Sequence, residues 1–212
     1  EAFTHRWNPH MRKARQLVSE GVIGEIQTVD SALCFNVIEP DGNIRFSEAL
    51  AGGALWDAGS YAVYAVRFVM SAEPTHVIGY SHDSGNWGVD TTFSGTMKFN
   101  NGAIGNITTN MQQPFRCFIT IHGSAGQIEI PNMFDDSGPI VIKRGDGRTS
   151  RDEQVIAVPA PNRFVVQLDE FTQCVLTGEK PEFPAEDGLA NTTVLEALYE
   201  SANSGASISL GL

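Results

Sequence analysis

Residues 52–61 read Gly-Gly-Ala-Leu-Trp-Asp-Ala-Gly-Ser-Tyr, the densest run of chemically capable side chains in the 212-residue chain. A glycine pair, Gly52 and Gly53, leads into a stretch that reads as helix. Asp57 and Tyr61 stand four residues apart, a spacing that puts both on one helix face. A carboxylate in the first turns is favoured in its ionised form by the helix dipole. A phenol, with an ordinary pKa of about 10, can pass a proton to a carbonyl oxygen when a nearby cation lowers that value. The same residues also fit a plainer reading. Asp57 would then only favour the dipole, Tyr61 would be a core residue with a satisfied hydroxyl, and Gly59 would mark close packing.

Other patterns carry less. The histidines are His5, His10, His76, His82 and His122. No two of them stand four apart on a helix with a third ligand nearby, so the spacing predicts no zinc site. His5 and Arg6 precede Pro9 and read most plainly as a polar lead-in to a helix. Cys34, Cys117 and Cys174 are odd in number and far apart, with no disulfide framework or metal-ligand spacing, which suits a reducing compartment. Glu170, Glu186 and Asp187 read as solvated or helix-starting carboxylates; a paired-carboxylate hydrolase stays open on the sequence alone. There is no Gly-x-Ser-x-Gly elbow, Walker loop or Gly-x-Gly-x-x-Gly fingerprint after a strand.

The elements that must position these residues follow from periodicity. Asn8-Pro9 opens a helix that Gly21 ends, with Met11, Ala14, Leu17 and Val18 on one face. Residues 25–38 read as a strand, with Val29, Leu33, Phe35 and Val37 on one side. Residues 39–53 read as a long loop, and 54–70 as a helix apolar around most of its circumference and therefore buried. Strands are predicted at 75–82, 91–99, 103–111, 116–122, 126–131 and 139–144. Asn101-Gly102 signals a type I′ hairpin turn, Gly123 to Gly126 a second tight connection, and 145–152 a polar turn. Two helices close the chain, with apolar stripes Phe164, Leu168, Phe171, Val175 and Leu195, Leu198, Tyr199, Ala202. Gly178 and Gly205 are their stop signals. Strands in a run with helices at the ends argue for an α+β fold, an open and mainly antiparallel sheet with helices packed on one face.

Composition bounds the partners. With 14 basic against 25 acidic side chains the net charge is −11, which argues against nucleic acid and against an anionic membrane surface. No apolar run approaches the length of a transmembrane helix.

Three patches carry a resemblance: EAFTHRWNPHMRKARQLVSEGVIGEIQTV at the start, RFSEALAGGALWDAGSYAVYAVRF in the middle, and EFTQCVLTGEKPEFPAEDGLANTTVLEALYESANSG near the end. Together they resemble the C-terminal domain of the glucose–fructose oxidoreductase, inositol dehydrogenase and MocA (Gfo/Idh/MocA) family, over essentially the whole chain. The resemblance implies that residues 1–212 are a substrate-binding and oligomerisation domain. Residues 1–8 would be the tail of a Rossmann domain that this sequence does not include. It implies hydride transfer between NADP or NAD, held mainly by that other domain, and a sugar, polyol or related alcohol or carbonyl. Many members carry Asp-x-x-x-His on the active-site helix; Asp57 and Tyr61 resemble the branch with tyrosine there. Tyr61 would be the catalytic acid/base, and Asp57 would bind a substrate hydroxyl or hold the geometry. Arg6 and Trp7 would line the nicotinamide and substrate pocket, Arg45 would reach a substrate hydroxyl or cofactor phosphate, and Gly52 and Gly53 would let the loop approach the cofactor. The family's Glu-Lys-Pro lysine would lie in the other domain, since Glu179-Lys180-Pro181 sits in a linker. The resemblance further implies a homodimer or tetramer through the sheet face, a cytoplasmic location, no metal, and no activity for the isolated chain. The rival expectations are a non-catalytic ligand-binding or dimerisation module and an NAD-dependent glycoside-cleaving enzyme.

Overall fold

A computed structural model describes residues 3–135, 138–145, 152–158 and 161–211. Pro9 opens α1 (Pro9–Ser19) at the first helical position, where its missing N–H costs nothing. Asn8 precedes it, but its side chain does not cap the helix; the amide Nδ2 instead donates to the Met133 carbonyl at 2.6 Å. Gly21, at φ +73°, turns the chain out of the helix, the left-handed conformation that glycine adopts without strain. After β1 (Ile26–Asn36) and the long loop comes a wide π-helical turn, Leu55–Gly59, and then α2 (Ser60–Met70). The sequence reads this whole segment as one plain helix; the π turn is new.

Strands β2 (Pro74–His82), β3 (Thr92–Phe99), β4 (Ile104–Asn110), β5 (Gln112–Gly123), β6 (Gly126–Ile130), β7 (Ile140–Arg144) and β8 (Asp152–Ile156) precede α3 (Arg163–Thr177), α4 (Ala185–Ser204) and a two-residue β9 (Ile208–Ser209). Neither β8 nor β9 is signalled by alternation in the sequence. The polar turn at 145–152 falls mostly outside the described residues. All the strands join one sheet in the order β8-β7-β6-β5-β1-β4-β3-β2-β9. Its pairs are antiparallel except at the centre, where β1 runs parallel to β4 with Val29 opposite Gly105. On its other side β1 pairs antiparallel with β5, Val29 opposite Ile121.

The β3–β4 hairpin forms at the expected place with a different turn. Gly102 has φ +88° while Asn101 does not have positive φ, so the turn is not type I′. Gly102 N–H donates to the Phe99 carbonyl and Phe99 N–H to Ala103, the pattern of a type I turn ended by a left-handed glycine.

Helices α1, α2 and α4 pack on one face of the sheet. Val29, Leu33, Phe93, Met97, Ile107, Ile119, Ile121, Ile128, Ile140 and Ile142 are buried there. Alternate residues point to the opposite face, as the two-residue period of a strand requires. That face is polar. Thr96 donates to Asn106 at 3.0 Å and Asn106 to Asp30 at 3.0 Å, His122 lies 3.3 Å from Asp30, and Lys143 pairs with Glu129. The sheet face through which the resemblance implies oligomer contacts is thus a polar ladder.

α2 is buried nearly all round, as its composition predicts, with one charged residue inside. Arg67 is 4% exposed. It reaches both Glu73 oxygens at 2.6 Å, Asn191 at 3.1 Å and Asp187 at 3.3 Å. Asp187 also takes Arg6 at 3.1 Å, so a carboxylate that reads in the sequence as a helix starter joins α2, α4 and the 3-10 turn Thr4–Trp7.

α3 behaves differently. Asn162 caps it by accepting from Phe164 N–H, and Gly178 ends it at φ +74°. Yet it buries no residue. Its stripe of Phe164, Leu168, Phe171 and Val175 faces outward, with Leu168 64% and Phe171 63% exposed. Its principal contacts are with the Thr4–Trp7 turn.

Candidate active site

The π turn and the start of α2 behind it are held from three sides. Asp90 accepts the Leu55 N–H on its carboxylate at 2.9 Å and the Ala54 N–H on its carbonyl at 2.7 Å. Thr109 on β4 donates its hydroxyl to the Ala54 carbonyl at 3.1 Å. Asn191 on α4 donates to the Ser60 carbonyl at 3.2 Å. The amides at a helix start lack intrahelical acceptors, and Asp90 supplies two from a distant loop. Asp90 is itself held by the Tyr199 hydroxyl at 2.6 Å. Burial pushes the Asp90 carboxyl above its ordinary value and the Tyr199 phenol above its own.

The glycine pair has a packing reason. A Cβ on Gly52 would come within 2.5 Å of the Arg45 carbonyl oxygen. Gly53 has φ +122°, and a Cβ there would meet the Asp90 carboxylate at 2.3 Å and the Tyr199 hydroxyl at 2.8 Å. Gly52 N–H donates to Ser47 and Gly53 N–H to Arg45 at 2.9 Å each. The loop thus folds tightly onto itself, which brings Arg45 beside Asp57: Nε donates to Oδ2 at 2.8 Å, with both side chains partly exposed.

Asp57 and Tyr61 line one cavity of about 280 Å³ with Trp56, Ser60, Phe3, Asn191 and Thr192. The π turn departs from the plain helix that the four-residue spacing presumes, and the two side chains still share that cavity. Tyr61 stands in an aromatic wall, its ring centroid 5.2 Å from Phe3, 5.3 Å from Phe134 and 5.5 Å from His5.

The other predicted residues lie apart from this cavity. Arg6 is buried behind the wall, paired with Asp187 and donating to the Tyr64 hydroxyl at 3.5 Å. Burial, partly offset by Arg6, pushes the Tyr64 phenol up to about 12. Trp7 packs edge-on against Phe183 at 5.4 Å under the Arg12 guanidinium. Arg6 and Trp7 share a second cavity, of about 300 Å³, with Leu168, Phe171 and Cys174 of α3. Gly52 lines a third, with Trp56 and Asp90. The structure therefore unites Asp57, Tyr61 and Arg45 and does not bring Arg6 or Trp7 into the cavity of Tyr61. Asp90, Tyr199, Asn191, Phe3 and Phe134 escaped the sequence reading. Only Asn191, a polar residue on the buried stripe of α4, left a signal there. Among the described residues no group of three or more His, Cys, Asp or Glu is placed to hold a metal, and no helix is long and apolar enough to cross a membrane.

A mixed open sheet backed by helices on one face, with a carboxylate and a phenol sharing one cavity at the head of the buried helix, defines an α+β domain of open-sheet type. A family model described as the GFO/IDH/MocA C-terminal domain matches residues 11–129, more than half of the chain, and the chain belongs to that family. D-xylose 1-dehydrogenase (NADP(+)) 2 of Haloferax volcanii is 27% identical over 213 residues, which cover 99% of this chain and 64% of that protein. The dTDP-3,4-didehydro-2,6-dideoxy-alpha-D-glucose 3-reductase of Actinomadura kijaniata is 27% identical over 206 residues, covering 95% of this chain and 60% of that one. The crystal structure of aldose-aldose oxidoreductase from Caulobacter crescentus, complexed with glycerol, matches with a TM-score of 0.87 at 28% identity over 99% of this chain and 63% of its own. These relatives are dehydrogenases, reductases and oxidoreductases of sugars and sugar nucleotides by name, and the chain spans less than two thirds of their length.

Proposed function

We propose that residues 1–212 form the substrate-binding half of an NADP- or NAD-dependent oxidoreductase acting on a sugar, polyol or related alcohol or carbonyl. The observation that carries this reading is the shared cavity of Asp57 and Tyr61. Its volume of about 280 Å³ lies just below the roughly 300–1,000 Å³ of small-molecule pockets, before the relatives' additional length adds its own wall. A phosphate cradle of glycine-rich loop and helix N-terminus is not formed by Gly52 and Gly53, whose would-be Cβ atoms meet this chain's own groups. The dinucleotide's phosphates therefore belong to the additional length found in the relatives, and this chain serves the reacting end. A bound nicotinamide supplies or accepts the hydride.

The chain's own part is the proton. In the reducing direction the Tyr61 hydroxyl donates to the substrate oxygen as carbon takes up hydride; in the oxidising direction it receives that proton back. Asp57, oriented by Arg45 at 2.8 Å, accepts a hydrogen bond from a neighbouring substrate hydroxyl and fixes which carbon faces the hydride. Arg6 and Trp7 act from behind the aromatic wall, setting its position through Tyr64 and α3. The homodimer or tetramer expected through the sheet face has a polar dish of about 400 Å³ to build on, lined by Asp30, Asn106, Arg116, His122 and Glu129.

The test is turnover of the intact protein with NADP+ and NAD+ against a panel of aldoses and polyols, read by nicotinamide absorbance. Turnover of an aldose or polyol that collapses in Tyr61→Phe supports the reading. Turnover that survives Tyr61→Phe unchanged removes Tyr61 from the mechanism.

A further inference from the structure

His5 is wholly buried, and among the described residues neither of its ring nitrogens meets a hydrogen-bond partner. Four rings enclose it, Tyr64 at 5.4 Å, Tyr61 at 5.5 Å, Phe134 at 5.6 Å and Phe3 at 5.8 Å between centroids. A phenylalanine would fill such a cage without leaving two polar atoms dry. Buried polar groups are almost always paired, and an unpaired one calls for a reason.

The charges around the ring explain its state. Burial, then Arg6 on its own turn, Arg163 on α3 and His10 on α1, lower its pKa to about 3. Tyr61 and Tyr64 face it from α2. At neutral pH the ring thus holds one N–H and one bare nitrogen. A neutral imidazole can donate a hydrogen bond to a developing oxyanion and keep its own proton.

We propose that His5 is a positioning residue for Tyr61: in the substrate-bound site its ring N–H donates to the phenol oxygen, so that the phenol's hydrogen points into the cavity. This rests on Tyr61 being the proton donor. When the proton passes from the Tyr61 oxygen to the substrate oxygen, the electron pair of the broken O–H bond stays on the phenolate. That charged oxygen accepts the His5 hydrogen bond more strongly than the neutral phenol does. The contact therefore strengthens toward the transition state, which is what raises kcat rather than binding. Catalytic hydrogen bonds that are unmade in a ligand-free site commonly close when substrate arrives.

The experiment compares His5→Phe, His5→Gln and Tyr61→Phe in the intact oxidoreductase. His5→Phe is expected to lower kcat by roughly 10–100-fold with KM little changed, and to move the Tyr61 limb of the pH profile to higher pH. His5→Gln, which keeps a donor, recovers part of both. Carbon-13 tyrosine NMR of the protein saturated with nicotinamide cofactor and a non-reacting sugar should show Tyr61 ionising at higher pH in His5→Phe than in the parent. Urea unfolding of His5→Phe at or above parental stability rules out a folding cause. Parental kcat and pH profile in His5→Phe, beside a slow Tyr61→Phe, overturn the role of His5 alone. A fast Tyr61→Phe overturns the reading of the site, and this role with it.

Discussion

The Tyr199 hydroxyl donates to Asp90 Oδ1 across 2.6 Å, while the other oxygen of that carboxylate accepts the Leu55 N–H at the head of α2. Tyr199 on α4 thereby holds the carboxylate that holds the segment carrying Asp57 and Tyr61. A hydrogen bond to a charged group contributes about 1.5–3 kcal/mol. Tyr199→Phe should lower unfolding free energy by about that amount, read as a shift of the urea midpoint at unchanged slope. A midpoint within error of the parent would mean the pair contributes nothing.

Gly53 is the tightest point of the same arrangement. Gly53→Ala adds a methyl at φ +122°, within 2.3 Å of the Asp90 carboxylate, and should cost several times what Gly102→Ala costs. At Gly102, φ is +88° and a Cβ meets nothing within 4 Å, so only backbone strain of about 1–2 kcal/mol applies. Thermal midpoints of the two variants, side by side, check the ranking.

Acid should unfold the protein partly through His5. Its folded pKa of about 3 lies below the ordinary histidine value of 6.5, so as pH falls the unfolded chain binds the proton first. The stability tied to neutral His5 is full above about pH 6.5 and is lost between that pH and about 3, at up to about 1.4 kcal/mol per pH unit. His5→Phe removes this dependence. The difference in unfolding free energy between parent and variant should be flat above pH 6.5 and change steadily below it; a difference flat down to pH 4 contradicts the burial of a neutral ring.

Tyr61→Phe in the intact enzyme should reduce kcat by roughly 10²–10⁴-fold, the usual worth of positioned acid–base help, with cofactor affinity nearly intact. Asp57→Asn should act more on KM, because it keeps the shape and loses the charge that, in the proposed function, accepts a substrate hydroxyl. Steady-state kinetics on both variants separate the two roles.

Residues 1–212 alone should bind NADP+ or NAD+ only weakly, since the glycine pair is taken up by internal packing. Calorimetric titration giving a micromolar Kd would place a phosphate site in this chain after all.

How much of this was readable in the sequence depended on the range of the interaction. Local signals held: Pro9 at a helix start, Gly21, Gly178 and Gly205 at helix ends, alternation in β3 to β7, and an α2 apolar around most of its circumference. Spacing found Asp57 and Tyr61 because a carboxylate and phenol four apart on one helix is a local fact. Asp90 and the aromatic wall come from segments distant in sequence, and nothing in their own neighbourhoods marks them; Tyr199 shows in the sequence only as part of the α4 stripe and Asn191 only as a polar residue on it. The stripe on α3 misled for a related reason. Periodicity shows that a helix has an apolar side, not that the partner for that side lies in the same 212 residues.

The parallel pairing of β1 with β4 sets an order of assembly. β2, β3 and β4 are joined by hairpin-type connections, and β5, β6, β7 and β8 form a meander, so each half-sheet can zip from neighbours in sequence. β1 bridges the two, pairing residue 28 with residue 104 on one side and residue 29 with residue 121 on the other. It leaves the ribosome before every strand that it must join. Contacts of such long sequence separation are slow to form, so β1 waits as an unpaired strand until both halves exist. The rate of folding is then governed by the insertion of a single early strand into the seam.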